Sequence, residues 1–523
     1  MAMSQIPCWA KFEINLISDK IYDNPVQEIT LSAIFKSPDG KEYPVLGFWN
    51  GDKNWVIRFS PCKIGKWTYV TKFSNADDLG LNNQKGEFHC VEYTGDNPLF
   101  KHGAIRVSEN RRYLIHSDGT PFFWLGDTAW NGVLLSKDDD WRVYLKDRVN
   151  KGFTVVQFVT TQWRAATGDI DGRVPFTGKE KININPEFFK RMDKRIEEMN
   201  DFGIVGAPVM LWAISADTDP GLSLPDDQAI LLAKYMLARY SAYRVIWILG
   251  GDGNYRGERS ERWKKIGRAV FDGYPDQIAT MHPQGMNWVA DEFRHENWFS
   301  FNGYQSGHGD SDDTLKWLCE GPPSVDWKKE PHHPIINLEP NYEAHVAYQS
   351  RKPHDAKAVR RACYWSLLVS PTAGVTYGAH GIWSWEIEPK EPMNHKGSGI
   401  AQPWYEAIKF PGSLHVKYMK EFFMSFDWWK LIPAPELLVE QPSKDDPHKF
   451  VAVAKTSDNK YIAVYIPEGT DIKLDLNMLK KPMKAKWFNP RNGEWSDEFD
   501  VNESLQTFRP IDNEDWALLI YSL

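Results

Sequence analysis

Two short segments of this sequence each end in a carboxylate. Residues 245–249 form an apolar run that Gly250 and Gly251 interrupt just before Asp252. Residues 334–338 form a second short segment, which ends at Glu339. Runs of this length that are apolar on both faces are typical of strands in a parallel sheet. The carboxyl ends of such strands lie on the rim where α/β barrels carry their chemistry.

Two carboxylates on one rim indicate a hydrolase of glycosidic bonds. In such enzymes one carboxylic acid protonates the leaving oxygen, and a second, ionised carboxylate attacks the sugar or activates water. A free Asp titrates near 3.9, so the acid needs a pKa of about 6 or above, a shift of roughly 3 kcal/mol. A partly dry pocket walled by tryptophan can impose that shift. We therefore predict that Asp252 and Glu339 are the catalytic residues.

Aromatic and polar side chains follow the same predicted strand ends. Flat apolar rings with an N–H donor suit the faces of sugars, and polar side chains can bind sugar hydroxyls. The residues that we expect to contact substrate are Asp127, Trp130, Trp163, Trp212, Tyr304, Gln305, His308, Tyr342, His380, Trp383 and Trp385.

Several of these residues also have a purely structural interpretation. Asp252, which follows two glycines, could be a helix N-cap or a turn residue. Asp127 could form a structural ion pair instead of binding a sugar hydroxyl. Glu343 is either a solvated, pairing residue or the working carboxylate, and His308 and His380 could be structural histidines. The tryptophans could simply fill cores.

Length and charge limit the class of protein. The chain has 523 residues, a net charge of −8 and a pI near 6.0. This length predicts three or four domains. The mixed, slightly acidic charge gives no reason to expect a nucleic-acid or membrane partner, since both would call for a basic patch. We expect an oligosaccharide to be the binding partner.

The cysteines and the N-terminus bear on cofactors and location. Five scattered cysteines form no CxxC pair and no His/Cys cluster, so we expect buried small apolar residues and neither a metal nor a cofactor. No GxGxxG or P-loop follows the strands. The N-terminus lacks a basic stretch followed by an apolar one, and no segment approaches 18 consecutive apolar residues. We expect a cytoplasmic or periplasmic protein.

Hydrophobic periodicity divides the chain into three parts. Residues 1–95 contain short strands between turns, which predicts an immunoglobulin-like β-sandwich. Residues 96–428 alternate strands with helices, which predicts an α/β fold of the (β/α)8 TIM-barrel type. Residues 429–523 return to strands and predict a second β-sandwich. The eight predicted barrel strands are 121–126, 153–159, 204–210, 245–249, 278–283, 298–308, 335–338, and 374–378 with 382–385.

Five motifs resemble one enzyme family. They are Trp124-Leu125-Gly126-Asp127-Thr128-Ala129-Trp130, Trp247-Ile248-Leu249-Gly250-Gly251-Asp252, Tyr304-Gln305-Ser306-Gly307-His308, Glu339-Pro340-Asn341-Tyr342-Glu343 and Tyr377-Gly378-Ala379-His380-Gly381-Ile382-Trp383. In this order they resemble the barrel of the apiosidase-like glycoside hydrolases, family 140 and its relatives, over residues 107–425. The flanking segments resemble the immunoglobulin-like and collagen-binding-type domains that accompany such barrels.

The resemblance implies specific roles for the two carboxylates. Asp252 would be the acid/base and Glu339 the nucleophile of a retaining glycoside hydrolase. Retaining barrel glycosidases more often carry Asn-Glu where this chain has Gly251-Asp252, so its carboxylate is one methylene shorter. We expect action on short plant, algal or microbial oligosaccharides. A non-catalytic carbohydrate-binding scaffold and a polysaccharide lyase, with Tyr304, Tyr342 or His308 as its base, are the alternatives.

Overall fold

Seven strands and two short helices make up the N-terminal part of the chain, in a computed structural model that describes residues 4–523. The elements are β1 (Gln5–Pro7), β2 (Phe12–Ile17), α1 (Pro25–Glu28), β3 (Leu31–Lys36), β4 (Glu42–Trp49), β5 (Asn54–Phe59), β6 (Gly65–Phe73), β7 (Lys85–Val91) and α2 (Pro98–Lys101). The strands form one sheet in the order β1-β7-β6-β3-β4-β5-β2. Phe12 on β2 stacks on Phe88 of β7 with ring centroids 4.2 Å apart, so the sheet folds over on itself. The prediction of a β-rich N-terminal region is confirmed.

A small antiparallel sheet leads into the central part of the chain, where strands and helices alternate. The strands are β8 (Ile105–Val107), β9 (Leu114–His116), β10 (Pro121–Phe122), β11 (Trp124–Thr128), β12 (Val155–Val159), β13 (Phe176–Thr177), β14 (Asn183–Ile184), β15 (Val205–Trp212), β16 (Trp247–Gly253), β17 (Ala279–Pro283), β18 (Asn302–Gln305), β19 (Ile335–Glu339) and β20 (Gly374–Tyr377). The helices are α3 (Gly132–Leu135), α4 (Asp138–Asn150), α5 (Pro186–Asp201), α6 (Pro220–Ser223), α7 (Asp226–Tyr240), α8 (Glu258–Phe271), α9 (Ala290–Phe293), α10 (Asp312–Glu320), α11 (Pro322–Asp326), α12 (Ala356–Leu368), α13 (Trp404–Ala407) and α14 (Pro411–Met424).

Eight of these strands form a parallel sheet that nearly closes into a barrel. Their order is β17-β16-β15-β12-β11-β20-β19-β18. The two end strands approach each other, since the Thr280 hydroxyl donates to the Phe301 carbonyl at 2.6 Å and accepts from the Gly303 amide at 3.0 Å. The strands are apolar and buried on both faces, as a parallel sheet covered by helices requires. The arrangement is consistent with the predicted TIM barrel.

Several details of the barrel differ from the prediction. The predicted first strand, 121–126, is divided between β10 of the small antiparallel sheet and β11 of the barrel, and the predicted sixth strand, 298–308, is reduced to β18. The eighth strand ends at Tyr377, and residues 382–385, which we assigned to it, lie in a turn. The glycine at position 381, with φ +110°, breaks the strand direction before these residues. The connection after β17 carries only the four-residue helix α9 in place of a full-length helix.

The C-terminal part of the chain is again rich in strands. Its elements are β21 (Leu431–Pro433), β22 (Ala452–Thr456), β23 (Tyr461–Ile466), β24 (Ile472–Asp475), β25 (Met483–Phe488), β26 (Phe499–Val501), β27 (Leu505–Phe508) and β28 (Trp516–Ser522), with 3-10 turns at Trp428–Lys430, Pro435–Leu437, Pro442–Lys444 and Pro447–Lys449. They form a six-stranded sheet, β21-β22-β23-β28-β25-β26, and a two-stranded sheet, β24-β27. Between residues 4 and 523 no helix is long and apolar enough to cross a membrane.

Buried ion pairs connect both terminal regions to the barrel. On the N-terminal side, Asp193 of α5 accepts from Arg58 of β5 at 2.7 Å and from Arg239 of α7 at 2.6 Å. On the C-terminal side, Arg360 of α12 donates to Asp515 at 2.6 Å. A buried guanidinium that loses its carboxylate keeps a large desolvation cost, so these pairs make each junction sensitive to the loss of one partner.

Asp193→Asn tests the N-terminal junction. The amide keeps the shape of the side chain but leaves the Arg239 guanidinium without its counter-charge and Arg58 with Glu13 alone. We expect the free energy of unfolding to fall by about 3–5 kcal/mol, measured by denaturant titration. The control is Asp139→Asn, because Asp139 pairs with Arg142 on the surface with 94% of its side chain exposed and should leave the transition unchanged. Equal stability of the two variants would show that the junction does not depend on this network.

Candidate active site

A cavity of about 320 Å³ opens at the carboxyl ends of the barrel strands. Asp252 enters it from the end of β16 and Glu339 from the end of β19. The lining residues are Trp130, Trp163, Arg164, Trp212, Ile214, Asp252, Gln284, Gly285, Gln305, Gly307, His308, Glu339, Tyr342, His345, Tyr348, Trp383 and His395. Two carboxylates from strands far apart in the sequence therefore face one concave, aromatic-walled space.

Glu339 lies among imidazole groups that favour its ionised form. Its Oε1 is 3.0 Å from His308 Nε2, and its Oε2 is 3.3 Å from His282 Nε2. Burial alone would raise the pKa of this carboxyl, but electrostatic interaction and hydrogen bonding with the neighbouring imidazoles outweigh burial and lower the pKa to about 2. Glu339 is therefore an ionised carboxylate at neutral pH.

The backbone determines which nitrogen of His308 carries the proton. The Tyr342 amide donates to His308 Nδ1 at 3.3 Å, so Nδ1 is the acceptor of the ring. Nε2 is then the atom that donates to Glu339. His345 stacks on the His308 ring with centroids 4.2 Å apart, which helps to hold the ring in this orientation.

Asp252 has the opposite environment. No described side chain or amide between residues 4 and 523 donates a hydrogen bond to its carboxylate. Burial and the nearby negative charge of Glu339 raise the pKa of Asp252 well above its ordinary value, while the charge of Arg164 opposes the rise. The same cavity thus favours the protonated form of one carboxyl and the ionised form of the other.

The backbone around Asp252 is irregular. Its φ is +50°, an uncommon value for a residue with a side chain, although Asp tolerates it better than most. Pairing between β16 and β17 shifts register twice, between Ile248 and Gly251 and between Gly251 and Gly253. Bulges of this kind turn a side chain out of the regular alternation, and here they accompany the entry of Asp252 into the cavity.

Gly251 provides space for a wall of the cavity. A Cβ at this position would lie 2.4 Å from the Trp212 ring and 2.6 Å from Val209 Cγ1. The Trp212 ring in turn packs against Trp163 and Trp130, with centroid distances of 4.5 and 5.1 Å. The glycine next to Asp252 is therefore needed for the position of three indole rings.

Most of the predicted substrate contacts line this cavity. They are Trp130, Trp163, Trp212, Gln305, His308, Tyr342 and Trp383. The Trp130 indole donates to the Tyr342 hydroxyl at 3.1 Å, which connects two of these residues directly. The structure brings these side chains together, and their binding of substrate remains a prediction.

Four predicted contacts lie outside the cavity lining, which corrects the prediction for them. The Asp127 carboxylate is fully buried and accepts from Arg148 Nε at 2.5 Å and from the Tyr144 hydroxyl at 2.6 Å, so it is a structural ion pair. Trp385 packs against the same part of the core, with its ring 5.4 Å from that of Tyr144. Asp127 does lie at the end of β11, whereas Trp385 lies in the turn after β20, and both side chains point into the layer between barrel and helices.

Tyr304 and His380 are the other two corrections. The Tyr304 ring is buried between Trp288 and Trp317, at 5.6 and 5.9 Å. His380 is also buried and accepts at Nδ1 from the Trp383 indole at 3.0 Å. Its Nε2 is 2.9 Å from the Gly399 carbonyl, so it supports a wall residue without reaching the cavity.

Glu343 is the rival carboxylate of the seventh strand segment. It is buried away from the cavity, where it accepts from the Tyr377 hydroxyl at 2.5 Å and from the Gly412 amide at 3.1 Å. Its position therefore agrees with the structural interpretation, and Glu339 is the carboxylate of this segment that faces the cavity.

Comparison with known families identifies the central part of the chain. Residues 108–430, more than half of the protein, match the model of the apiosidase-like catalytic domain. The chain belongs to the apiosidase-like family. Residues 5–74 match a domain of unknown function, DUF5060, and residues 432–521 match a family described as "Putative collagen-binding domain of a collagenase". No curated protein matches the chain.

Solved structures agree with this assignment. A glycoside hydrolase with 25% sequence identity covers 82% of this chain and 99% of its own, with a TM-score of 0.71. A glycoside hydrolase family 5 protein from Bacteroides vulgatus, 24% identical, covers 82% and 95% with a TM-score of 0.72. A "putative glycoside hydrolase" from the same organism, 20% identical, covers 99% and 100% with a TM-score of 0.74. Together with the family match, the first structure identifies this apiosidase-like protein as a glycoside hydrolase.

Several residues around the cavity of this apiosidase-like chain were not predicted from the sequence. His282 lies near the carboxyl end of the fifth strand and contacts Glu339 from beneath the lining, so its position at a strand end could have indicated it. Arg164 follows Trp163 after the second strand, and its position could have indicated it in the same way. His345, Tyr348 and His395 come from long loops, where no periodicity indicates the direction of a side chain.

Gly251→Ala tests the packing that supports the apiosidase-like cavity. The added methyl group would overlap Trp212, and overpacking of this kind costs about 1–3 kcal/mol. We expect a shifted tryptophan fluorescence spectrum and at least a tenfold loss of kcat/KM, about 1.4 kcal/mol, although both carboxylates remain. Gly273→Ala is the control, because a Cβ there has open space. Wild-type activity in Gly251→Ala would show that the position of the Trp212 ring is not required.

Proposed function

We propose that the protein is a retaining glycoside hydrolase acting on short oligosaccharides, with Asp252 as acid/base and Glu339 as nucleophile. The observation that carries this proposal is the opposite electrostatic environment of two carboxyls in one cavity. Glu339 is hydrogen-bonded to His308, lies 3.3 Å from His282 Nε2 and has a lowered pKa, whereas Asp252 has no donor among residues 4–523 and a raised pKa. A retaining mechanism needs one ionised and one protonated carboxyl at its start.

The first step uses both groups on one glycosidic bond. Asp252 gives its proton to the leaving oxygen while the Glu339 carboxylate attacks the anomeric carbon. The bond to the leaving sugar breaks, and a covalent glycosyl–Glu339 ester forms. The histidines that lower the pKa of Glu339 also keep its free carboxylate available and oriented before the attack.

The second step depends on a change in charge. The ester at Glu339 carries no negative charge, so the repulsion that raised the pKa of Asp252 disappears. Asp252, now ionised, can accept a proton from water as the water attacks the anomeric carbon. The sugar leaves with its original anomeric configuration, Glu339 becomes ionised again, and Asp252 is again protonated.

The volume and the lining of the cavity are the basis for proposing a short substrate. Its volume of about 320 Å³ is near the lower end for small-molecule sites, which suits one or two sugar rings. Indole rings line it on several sides and offer apolar faces to the sugar. Plant, algal and microbial oligosaccharides provide such units, and we propose these as the substrate class.

Asp252→Asn and Glu339→Gln test the two roles separately. Each variant should fold normally and lose about 10²-fold or more in kcat on an unactivated glycoside, because general acid catalysis contributes on the order of 10²–10⁴ and the covalent intermediate requires the nucleophile. Asp252→Asn should keep more activity on a substrate whose leaving group needs no proton. The control is Asp312→Asn, an exposed carboxylate outside the cavity lining. Wild-type rates in either cavity variant would remove the assignment.

The products of the same reactions distinguish the remaining mechanisms. NMR of the first-formed sugar should show retention, and inversion would contradict Glu339 as nucleophile. An unsaturated product that absorbs in the ultraviolet would indicate a lyase. A protein that binds sugars without turnover would be a carbohydrate-binding scaffold.

The pH dependence of an Arg164 variant tests the role of Asp252 as the acid. The reaction requires protonated Asp252, so activity should fall as pH rises through the pKa of this group. The Arg164 charge lowers that pKa, so Arg164→Gln should raise it and move the alkaline limb of kcat/KM to higher pH. Arg173→Gln, an exposed arginine, is the control. A limb that moves to lower pH would contradict Asp252 as the acid.

A further inference from the structure

A second cavity of about 380 Å³ lies between the N-terminal region and the barrel. Trp9 and Tyr43 line it from the N-terminal side, and Arg244 and Tyr274 line it from the barrel side. Val245, which precedes β16, also lines it, so the cavity is at the amino ends of the strands. It is therefore on the opposite end of the barrel from Asp252, about 20 Å away along a seven-residue strand.

Arg244 is an unusual residue for this position. It is only 6% exposed, and no carboxylate in residues 4–523 forms an ion pair with it. Its Nη2 donates to the carbonyls of Trp9 and Ala242, each at 3.2 Å, and to the Ser60 hydroxyl. Its Nε is buried and has no hydrogen-bond partner among the described residues. The hydrogen bonds to Trp9, Ser60 and Ala242 all come from Nη2, which leaves Nη1 without a described partner. Buried charges are normally paired, so this guanidinium has unused capacity for an anion.

Burial without a counter-charge disfavours the charged form of Arg244. Burial lowers the pKa of the guanidinium to about 10, in contrast to Arg58, whose pKa is raised by Asp193. Both arginines line the same cavity, but Arg58 already pairs with Glu13 and Asp193. An anionic ligand at Arg244 would supply the counter-charge that residues 4–523 do not.

The rest of the cavity has the charge and the walls for an acidic sugar. Lys41 and Arg106 are exposed cations at its edge, and Asp276 is the acidic residue of the lining. Trp9 is held with φ +68°, a strained value for a bulky residue, and its ring lies 5.6 Å from the Arg244 guanidinium carbon. Aromatic walls suit the apolar faces of a sugar ring.

We propose that this cavity is an accessory binding site for an acidic saccharide, with Arg244 as the ligand of its carboxylate or sulfate group. The volume fits one or two sugar units, which is more room than a bare inorganic anion needs. Trp9, Tyr43 and Tyr274 form the walls against which the ring lies. The site is independent of the hydrolysis that we propose for the other cavity. It gives the N-terminal region a role in binding acidic saccharides.

Calorimetric titration of the full-length protein tests the site. The probes are glucuronate, a 6-sulfated hexose, neutral glucose and inorganic phosphate. We expect both acidic sugars to bind and glucose to bind about tenfold more weakly, because a charge-assisted pair with an arginine contributes roughly that much. Binding of phosphate without either acidic sugar would overturn the assignment to a saccharide, and binding of no probe would overturn the site.

Variants locate the binding. Arg244→Gln should weaken glucuronate binding at least tenfold, and Arg106→Gln should weaken it severalfold with an unchanged Tm. Tyr274→Ala should also weaken it, since that ring is half-buried in the cavity wall. Lys72→Gln, an exposed cation of β6 outside the cavity lining, is the matched control.

The outcome remains decisive if Arg244→Gln does not fold, because Arg106→Gln and Tyr274→Ala then carry the test. Glucuronate affinities within twofold of wild type in both variants would overturn the proposal. Trp163→Ala, in the catalytic cavity, should leave this binding unchanged. If that variant abolishes it, the acidic sugar binds at the catalytic site instead.

Discussion

The central constraint in this protein is that two carboxyls share one cavity but cannot both be ionised there at low cost. Like charges in a poorly solvated space repel each other, and each loses hydration. The two carboxyls have different surroundings in the structure. Imidazoles next to Glu339 favour its ionised form, whereas no described group donates a hydrogen bond to Asp252. The proposed chemistry follows from this asymmetry and not from the presence of two acids alone.

The two terminal regions contact the helices that adjoin the strands carrying these acids. Helix α7 leads into β16, and its Arg239 joins the ion pairs with Asp193 and the N-terminal region. Helix α12 follows β19, and its Arg360 pairs with Asp515 of the C-terminal region. Buried, bidentate or shared arginine pairs resist small displacements because their geometry is restrictive. The flanking regions therefore contact the barrel next to both β16 and β19 in the chain.

Sequence patterns predicted the positions of strands well and the directions of side chains less well. Glu339 and Asp252 end buried runs and do reach the cavity, and so do several of the predicted tryptophans. Asp127 also ends a buried run, yet its side chain is in a structural ion pair with Arg148. The difference depends on which face of the strand a residue occupies. In strands buried on both faces, polar and apolar residues do not alternate, so the sequence does not show which face a side chain is on.

The sequence by itself determined the eight-stranded α/β architecture, the strand ends and the two acids there, because these depend on local apolar runs and on the order of elements along the chain. Only the tertiary structure decided how each carboxyl ionises and which side chains line the two cavities. His282 and His308 follow different strands from Glu339, and Arg244 contacts Trp9 across a separation of 235 residues in the sequence. The pKa of a group and the lining of a cavity both depend on such neighbours. Residues distant in sequence become neighbours only when the chain folds.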